Sequence, residues 1–156
     1  MSDTDDSGLD FDILALDVGV QIHLTRRALW LGLDRSKMFR GSRQPGGFVS
    51  AFIMIDANPG ITQKRLAEAL FLDAGAIGDI VDLLEKDELV ERRRDPADRR
   101  RMNLFVTPAG VEQLRQIKMW AQLRSEKIAA CLTEEERTLL IELLQRLRDQ
   151  ARQQTD

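Results

Sequence analysis

Cysteine and histidine occur once each in 156 residues, as Cys131 and His23. A single cysteine excludes a disulfide within the chain. A single histidine beside it excludes a Cys/His zinc site built by one chain. Tyrosine is absent. No nucleophile–base pair, metal-ligand set or glycine-rich phosphate loop is present, so neither an enzyme nor a cofactor is expected. No apolar run reaches the roughly 18 residues of a membrane-spanning helix, and no membrane partner is expected. The start, MSDTDDSGLD, is acidic rather than signal-like, and the expected location is the cytoplasm.

An excess of positive charge is missing as well. Lys and Arg number 23 against 26 Asp and Glu, a formal net charge of −3. Any role on a polyanion must therefore rest on a local patch. Hydrophobic residues make up 43% of the chain, enough for a core in one compact domain or two small subdomains.

Such a patch is present. Val90 to Gly110 reads VERRRDPADRRRMNLFVTPAG. Arg92, Arg93, Arg94, Arg99, Arg100 and Arg101 are six cations against Asp95 and Asp98, a local balance of +4. Asp95-Pro96-Ala97-Asp98 is a run of turn formers. Met102 to Val106 alternates, so the stretch reads as a basic-tipped β-hairpin. A hairpin that carries arginine into solvent needs an anionic partner, and duplex DNA is the commonest large one.

The remainder reads as helices. Residues 1–9 form an acidic tail expected to be disordered. Phe11 to Leu33 reads as one helix on the spacing of Ile13, Leu16, Val20, Leu24 and Leu31. Asp34 to Gly47, rich in Gly, Ser, Arg and Pro, is a connector. Phe48 to Ala57 is a mostly apolar helix, stopped by Asn58-Pro59-Gly60. Thr62 can cap a helix from Gln63 to Leu70, and Asp73 a second from Ala74 to Glu85. Thr107-Pro108 closes the hairpin and opens a helix from Val111 to Leu132. Thr133 with Glu136 forms a capping box for the last helix. Its stripe of Leu139, Leu140, Leu143, Leu144 and Leu147 needs cover, and pairing across a two-fold axis supplies it.

Two short helices, a three-residue turn and a hairpin make a winged helix-turn-helix. Asp95-Pro96-Ala97-Asp98-Arg99-Arg100, then Leu104 and Thr107-Pro108-Ala109-Gly110, resemble the MarR family of bacterial transcription regulators. Gln63 to Leu70 and Val81 to Lys86 through Arg92 support the resemblance, which covers Phe48 to Gly110 closely. It implies a mainly α fold with a small β-hairpin wing and four segments. These are the tail (1–9), an N-terminal helix and connector (10–47), the winged domain (48–110) and C-terminal dimerisation helices (111–156). It also implies a homodimer on a pseudo-palindromic operator in double-stranded DNA, and hence a place at the nucleoid. Half-sites then lie roughly 34–36 Å apart.

The resemblance assigns roles residue by residue. Arg100 matches the wing-tip arginine that enters the minor groove, where the potential is strongly negative. Asp98 is expected to brace the wing by pairing with an arginine. Arg94, Arg99 and Arg101 are expected at phosphates. Thr62, Gln63 and Lys64 open a helix whose N–H groups can face a phosphate. The recognition helix departs from the family's pattern: capped by Asp73, it exposes Ala74, Gly75, Ala76, Gly78 and Asp79. Ala74 and Ala76 suit thymine methyls, and Asp79 can accept from cytosine but repels phosphate. Readout by shape is expected, with a helix that moves before it docks, or weak DNA binding, as the alternatives.

An effector cavity is implied where the dimer helices meet the DNA-binding lobe. Its candidates are His23, Arg26, Arg27 and Trp30 on the first helix, Arg43 on the connector and Trp120 on the long helix. An aromatic acid or its CoA thioester would need such aromatic walls and basic groups. Taken alone, Trp30 and Trp120 suit core positions better than a ligand site, and His23 suits a satisfied, partly buried position. Cys131 opens a redox-sensing alternative, but its neighbours Ala129, Ala130 and Leu132 favour a buried, inert thiol. The expected function is a ligand-responsive dimeric regulator, a repressor by family tendency. A winged-helix adaptor for protein partners is the rival.

Overall fold

The structure, a computed structural model, describes residues 10–31 and 45–154. The expected tail and most of the expected connector lie outside the described residues. The chain divides into two compact units, residues 1–43 and 44–156.

In the first unit, a 3-10 turn (Asp12–Leu16) precedes helix α1 (Val18–Leu31). The single helix expected from Phe11 is therefore broken, and Asp17 is the reason. Its backbone is extended, and its carboxylate accepts the Val20 N–H at 2.8 Å, an N-cap bond. The apolar spacing runs on through Asp17, but a short acidic side chain satisfies helix-end donors better than it serves an interior. Ile13, Leu16 and Val18 remain exposed.

The second unit begins with α2 (Phe48–Ala57), which buries Phe48, Ala51, Phe52 and Ile55 along one stripe. The Asn58 side-chain amide donates to the Met54 carbonyl at 2.9 Å and ends it. A two-residue strand, β1 (Ile61–Thr62), follows and runs directly into α3 (Gln63–Leu70). Thr62 closes the strand and also caps α3 through the Arg65 N–H. After Phe71 in the left-handed region, Asp73 caps α4 (Ala74–Lys86) through the Ala76 N–H at 2.8 Å. Ile77, Ile80, Val81 and Leu84 of α4 are buried.

Strands β2 (Val90–Arg94) and β3 (Met102–Val106) form the hairpin, and β1 adds to the far edge of β3. Arg92 lies opposite Leu104, Val90 opposite Val106 and Arg94 opposite Met102. The three-stranded antiparallel sheet thus has β2 at one edge.

The TPAG motif that follows is a packing device. The Thr107 N–H donates to the Leu89 carbonyl at 3.0 Å, and its hydroxyl donates to the Glu88 carbonyl at 2.6 Å. The same hydroxyl accepts the Gly110 N–H at 3.0 Å, capping α5 (Pro108–Ile128). A Cβ at Gly110 would lie 2.1 Å from the Leu89 carbonyl oxygen, so only glycine lets α5 approach the hairpin. Leu114 and Ile117 of α5 close the core.

Helix α5 ends at Ile128, short of the expected Leu132. Residues 129–132 instead form the turn into α6 (Glu134–Gln153). Cys131 sits in that turn and is exposed, which corrects the expectation of a buried thiol. The capping box of Thr133 and Glu136 is present. Helix α6 buries none of its residues; Leu139, Leu140, Leu143, Leu144 and Leu147 are all exposed in the single chain.

Candidate nucleic-acid interface

The hairpin tip is built by Asp95. One carboxylate oxygen accepts the Ala97 N–H at 2.8 Å and the Asp98 N–H at 3.4 Å. The other accepts the Asn103 side-chain amide at 3.1 Å. The Asp95 N–H donates to the Arg101 carbonyl at 3.0 Å, closing the tip. The Ala97 N–H, then the Asn103 amide, hold the Asp95 carboxyl below its ordinary value of 3.8. Sequence reasoning passed over Asp95 as one turn former among several. Its Asx-turn position, two residues before Ala97, was the available signal.

Asp98 was expected to brace the wing by pairing with an arginine. Its carboxylate accepts the Arg100 backbone N–H at 3.0 Å, and its carbonyl accepts the Arg101 N–H at 2.9 Å. It braces the loop through the main chain.

The six arginines divide by position. The side chains of Arg94, Arg99 and Arg100 are exposed and form no hydrogen bond or ion pair among the described residues. Arg101 is exposed in the field of Asp95. Arg93 pairs with Glu91 on its own strand and stacks 4.7 Å from the Phe105 ring centroid. Arg92 points inward. Its guanidinium bonds Glu85 and Asp82 of α4, and its Nε donates to Gln63 Oε1 at 3.3 Å. Burial would lower its pKa, but the Asp82 hydrogen bond and the Glu85 charge outweigh that and raise it. The local balance of +4 thus overcounts what faces solvent. Parity puts Arg92 on the face of buried Val90, but Arg94 shares that face, so the sequence did not separate the two.

The helices place the other expected residues as follows. Thr62 and Gln63 are half-buried, Thr62 as a cap and Gln63 as acceptor for Arg92. Lys64 is exposed, 3.9 Å from Glu68. Asp73, Ala74, Gly75 and Asp79 are exposed, and Ala76 and Gly78 are half-exposed. A Cβ at Gly78 would meet nothing within 4 Å, and one at Gly75 only the Asp73 carboxylate at 3.2 Å. Packing therefore demands neither glycine.

Among the effector candidates, His23, Arg26 and Arg27 are exposed on α1. Trp120 is half-exposed on α5, with the Arg124 guanidinium 5.6 Å from its ring centroid. The Trp30 side chain and Arg43 lie outside the described residues. A concavity of about 1080 Å³ lies elsewhere, between α3, the start of α4 and the end of α6. Arg152 closes one side of it, stacked 4.5 Å from the Phe71 ring centroid and donating to the Glu68 carbonyl at 3.3 Å.

A model of the MarR family matches residues 49–101. The HTH-type transcriptional regulator BilQ of Clostridium symbiosum (strain WAL-14163) is 33% identical over 101 residues, which are 65% of this chain and 70% of that protein. The chain belongs to the MarR family. A Thauera aromatica protein assigned to regulation of the hcr operon is 38% identical over 101 residues, 65% of this chain. That match spans 61% of the Thauera protein, less than two thirds of its length. Solved structures carry the same fold. The repressor CouR bound to a 23-mer DNA duplex has a TM-score of 0.77 at 23% identity, covering 90% of this chain and 98% of that one. PcaV of Streptomyces coelicolor with its natural ligand has a TM-score of 0.76 at 24% identity, covering 92% and 99%. The MarR fold is thus a mainly helical winged helix.

Proposed function

We propose that the chain binds double-stranded DNA as a homodimer, through its hairpin tip, and represses transcription until a small molecule releases it. The observation that carries this reading is the set of unpaired, exposed arginines Arg94, Arg99 and Arg100 on a tip that Asp95 and Asp98 hold in one shape. Arg100 enters the minor groove, while Arg94, Arg99 and Arg101 contact phosphates. The α3 start at Thr62, Gln63 and Lys64 faces a phosphate. Helix α4, capped by Asp73, enters the major groove and reads shape and thymine methyls through Ala74, Gly75 and Ala76. Asp79 stands against phosphate. That CouR is solved on DNA supports the docking.

The leucine stripe of α6 and the exposed apolar residues of the first unit supply the dimer interface, so segments 10–47 and 111–156 serve dimerisation. The effector is an anionic aromatic, an acid or its CoA thioester. Arg27 and His23 would meet its charge, and PcaV's solved complex with its ligand supports such a site. Release follows from different affinities for two dimer shapes. A DNA-bound regulator works in the cytoplasm, at the nucleoid.

The nearly bare face of α4 favours the rival adaptor, and salt decides between them. Arg94, Arg99, Arg101 and Lys64 from two chains neutralise about eight phosphates, so log K against log salt should fall with a slope of about −7. A slope near zero, or no binding at low salt, favours the adaptor.

A further inference from the structure

Arg92 joins three elements. From β2 it reaches Gln63 at the first turn of α3, at 3.3 Å, and Asp82 on α4, at 2.5 Å. Glu85 takes its other terminal nitrogen and also accepts the Arg92 backbone N–H at 3.2 Å, an edge-strand donor with no ladder partner. The Arg92 side chain is 19% exposed. Its charge is therefore answered within the fold, while its neighbour Arg94 faces solvent.

We propose that Arg92, Asp82 and Glu85 form a positioning clamp that holds the hairpin's basic tip in register with α3 and α4. The proposal rests on the DNA-binding reading. Arg92 lies at the root of the hairpin, two residues from Arg94. A planar guanidinium donates in fixed directions, so three partners on two helices define the orientation of β2. A hairpin that could swing would lose that freedom on docking, at a cost in affinity; the clamp removes the freedom during folding. Arg92 itself contacts no DNA.

The clamp and simple electrostatics predict opposite signs for one experiment. The probe is a duplex selected by the wild-type chain from a random-sequence pool, with binding followed by fluorescence anisotropy across a salt series. Asp82→Asn with Glu85→Gln removes two negative charges, and charge alone predicts tighter binding. The clamp predicts binding weaker by roughly tenfold, with the salt slope retained because the tip still reaches its phosphates in the complex. Thermal unfolding fixes the folded fraction at the assay temperature, so a loss of stability alone would leave affinity per folded molecule unchanged. Arg92→Lys, which keeps the charge without the fork, should fall between wild type and the double variant. Should the double variant not fold, Asp82→Asn alone removes one clamp charge and should still weaken binding, by about threefold, where charge alone predicts tighter binding. Tighter or unchanged binding by the folded variants overturns the clamp and leaves DNA binding standing. Failure of the wild type to select any duplex overturns both.

Discussion

Gly78→Ala separates what α4 does for the fold from what it does for binding. A Cβ at this position meets nothing within 4 Å, so the new methyl costs nothing in packing. Helix interiors favour Ala over Gly by about 1 kcal/mol, partly because the unfolded chain loses freedom. For a chain of this size that corresponds to a melting temperature higher by about 2–4 °C. The same methyl projects from a half-exposed position on the proposed major-groove face. If the helix backbone lies against the groove there, the crowding costs about 1–3 kcal/mol, or about 5-fold to 150-fold in affinity. Stability and binding should therefore move in opposite directions. Differential scanning calorimetry and anisotropy titration against the selected duplex read the two. A fall in melting temperature would refute the open environment of Gly78. A rise with unchanged affinity would refute shape readout by α4.

Other consequences follow from the same geometry. Gly110→Ala drives a Cβ to 2.1 Å from the Leu89 carbonyl oxygen and should destabilise by about 1–3 kcal/mol in chemical denaturation; an unchanged midpoint would contradict the close approach. The Asp95 carboxyl should titrate in NMR below 3.8, because its ionised form accepts the Ala97 N–H and the Asn103 amide. With a depressed folded value, the tip's order is fully present above pH 3.8 and lost as pH falls through the lower midpoint; titration at or above 3.8 would refute Asp95 as the tip's organiser. Leu144→Glu places a charge in the α6 stripe beside Leu140 and Leu147. It should convert the proposed dimer to monomers in sedimentation, and a variant that still sediments as a dimer would exclude that stripe from the interface.

Much of the winged helix was readable because each element carries its own start and stop. Helix α2 ends at Asn58-Pro59-Gly60, and α3, α4, α5 and α6 each open on a Thr or Asp whose side-chain oxygen caps them. Strand β1 escaped notice because two residues cannot display an alternation; its pairing with Leu104 and Asn103 is set by tertiary structure alone. Asp17 escaped for the opposite reason, hidden inside a continuing apolar period. At the hairpin, counting charge located the tip but merged residues of different function. Arg92 and Arg94 are alike in composition and on the same face of β2. Only the nearness of Asp82 and Glu85 to the strand's root draws Arg92 inward, and that proximity depends on how α4 packs. Cys131 was misjudged because its burial depended on where α5 stops.

The central claim is that the hairpin tip carries the grip on DNA, and Arg100→Ala tests it most directly. Arg100 is exposed and unpaired, so the substitution removes no internal contact, and the melting temperature should stay within error of wild type. Losing a groove-reading arginine from both chains should cost about 2–6 kcal/mol, which is about 30-fold to 20,000-fold in affinity for the selected duplex. Comparable gel-shift titrations of wild type and Arg100→Ala would contradict the account.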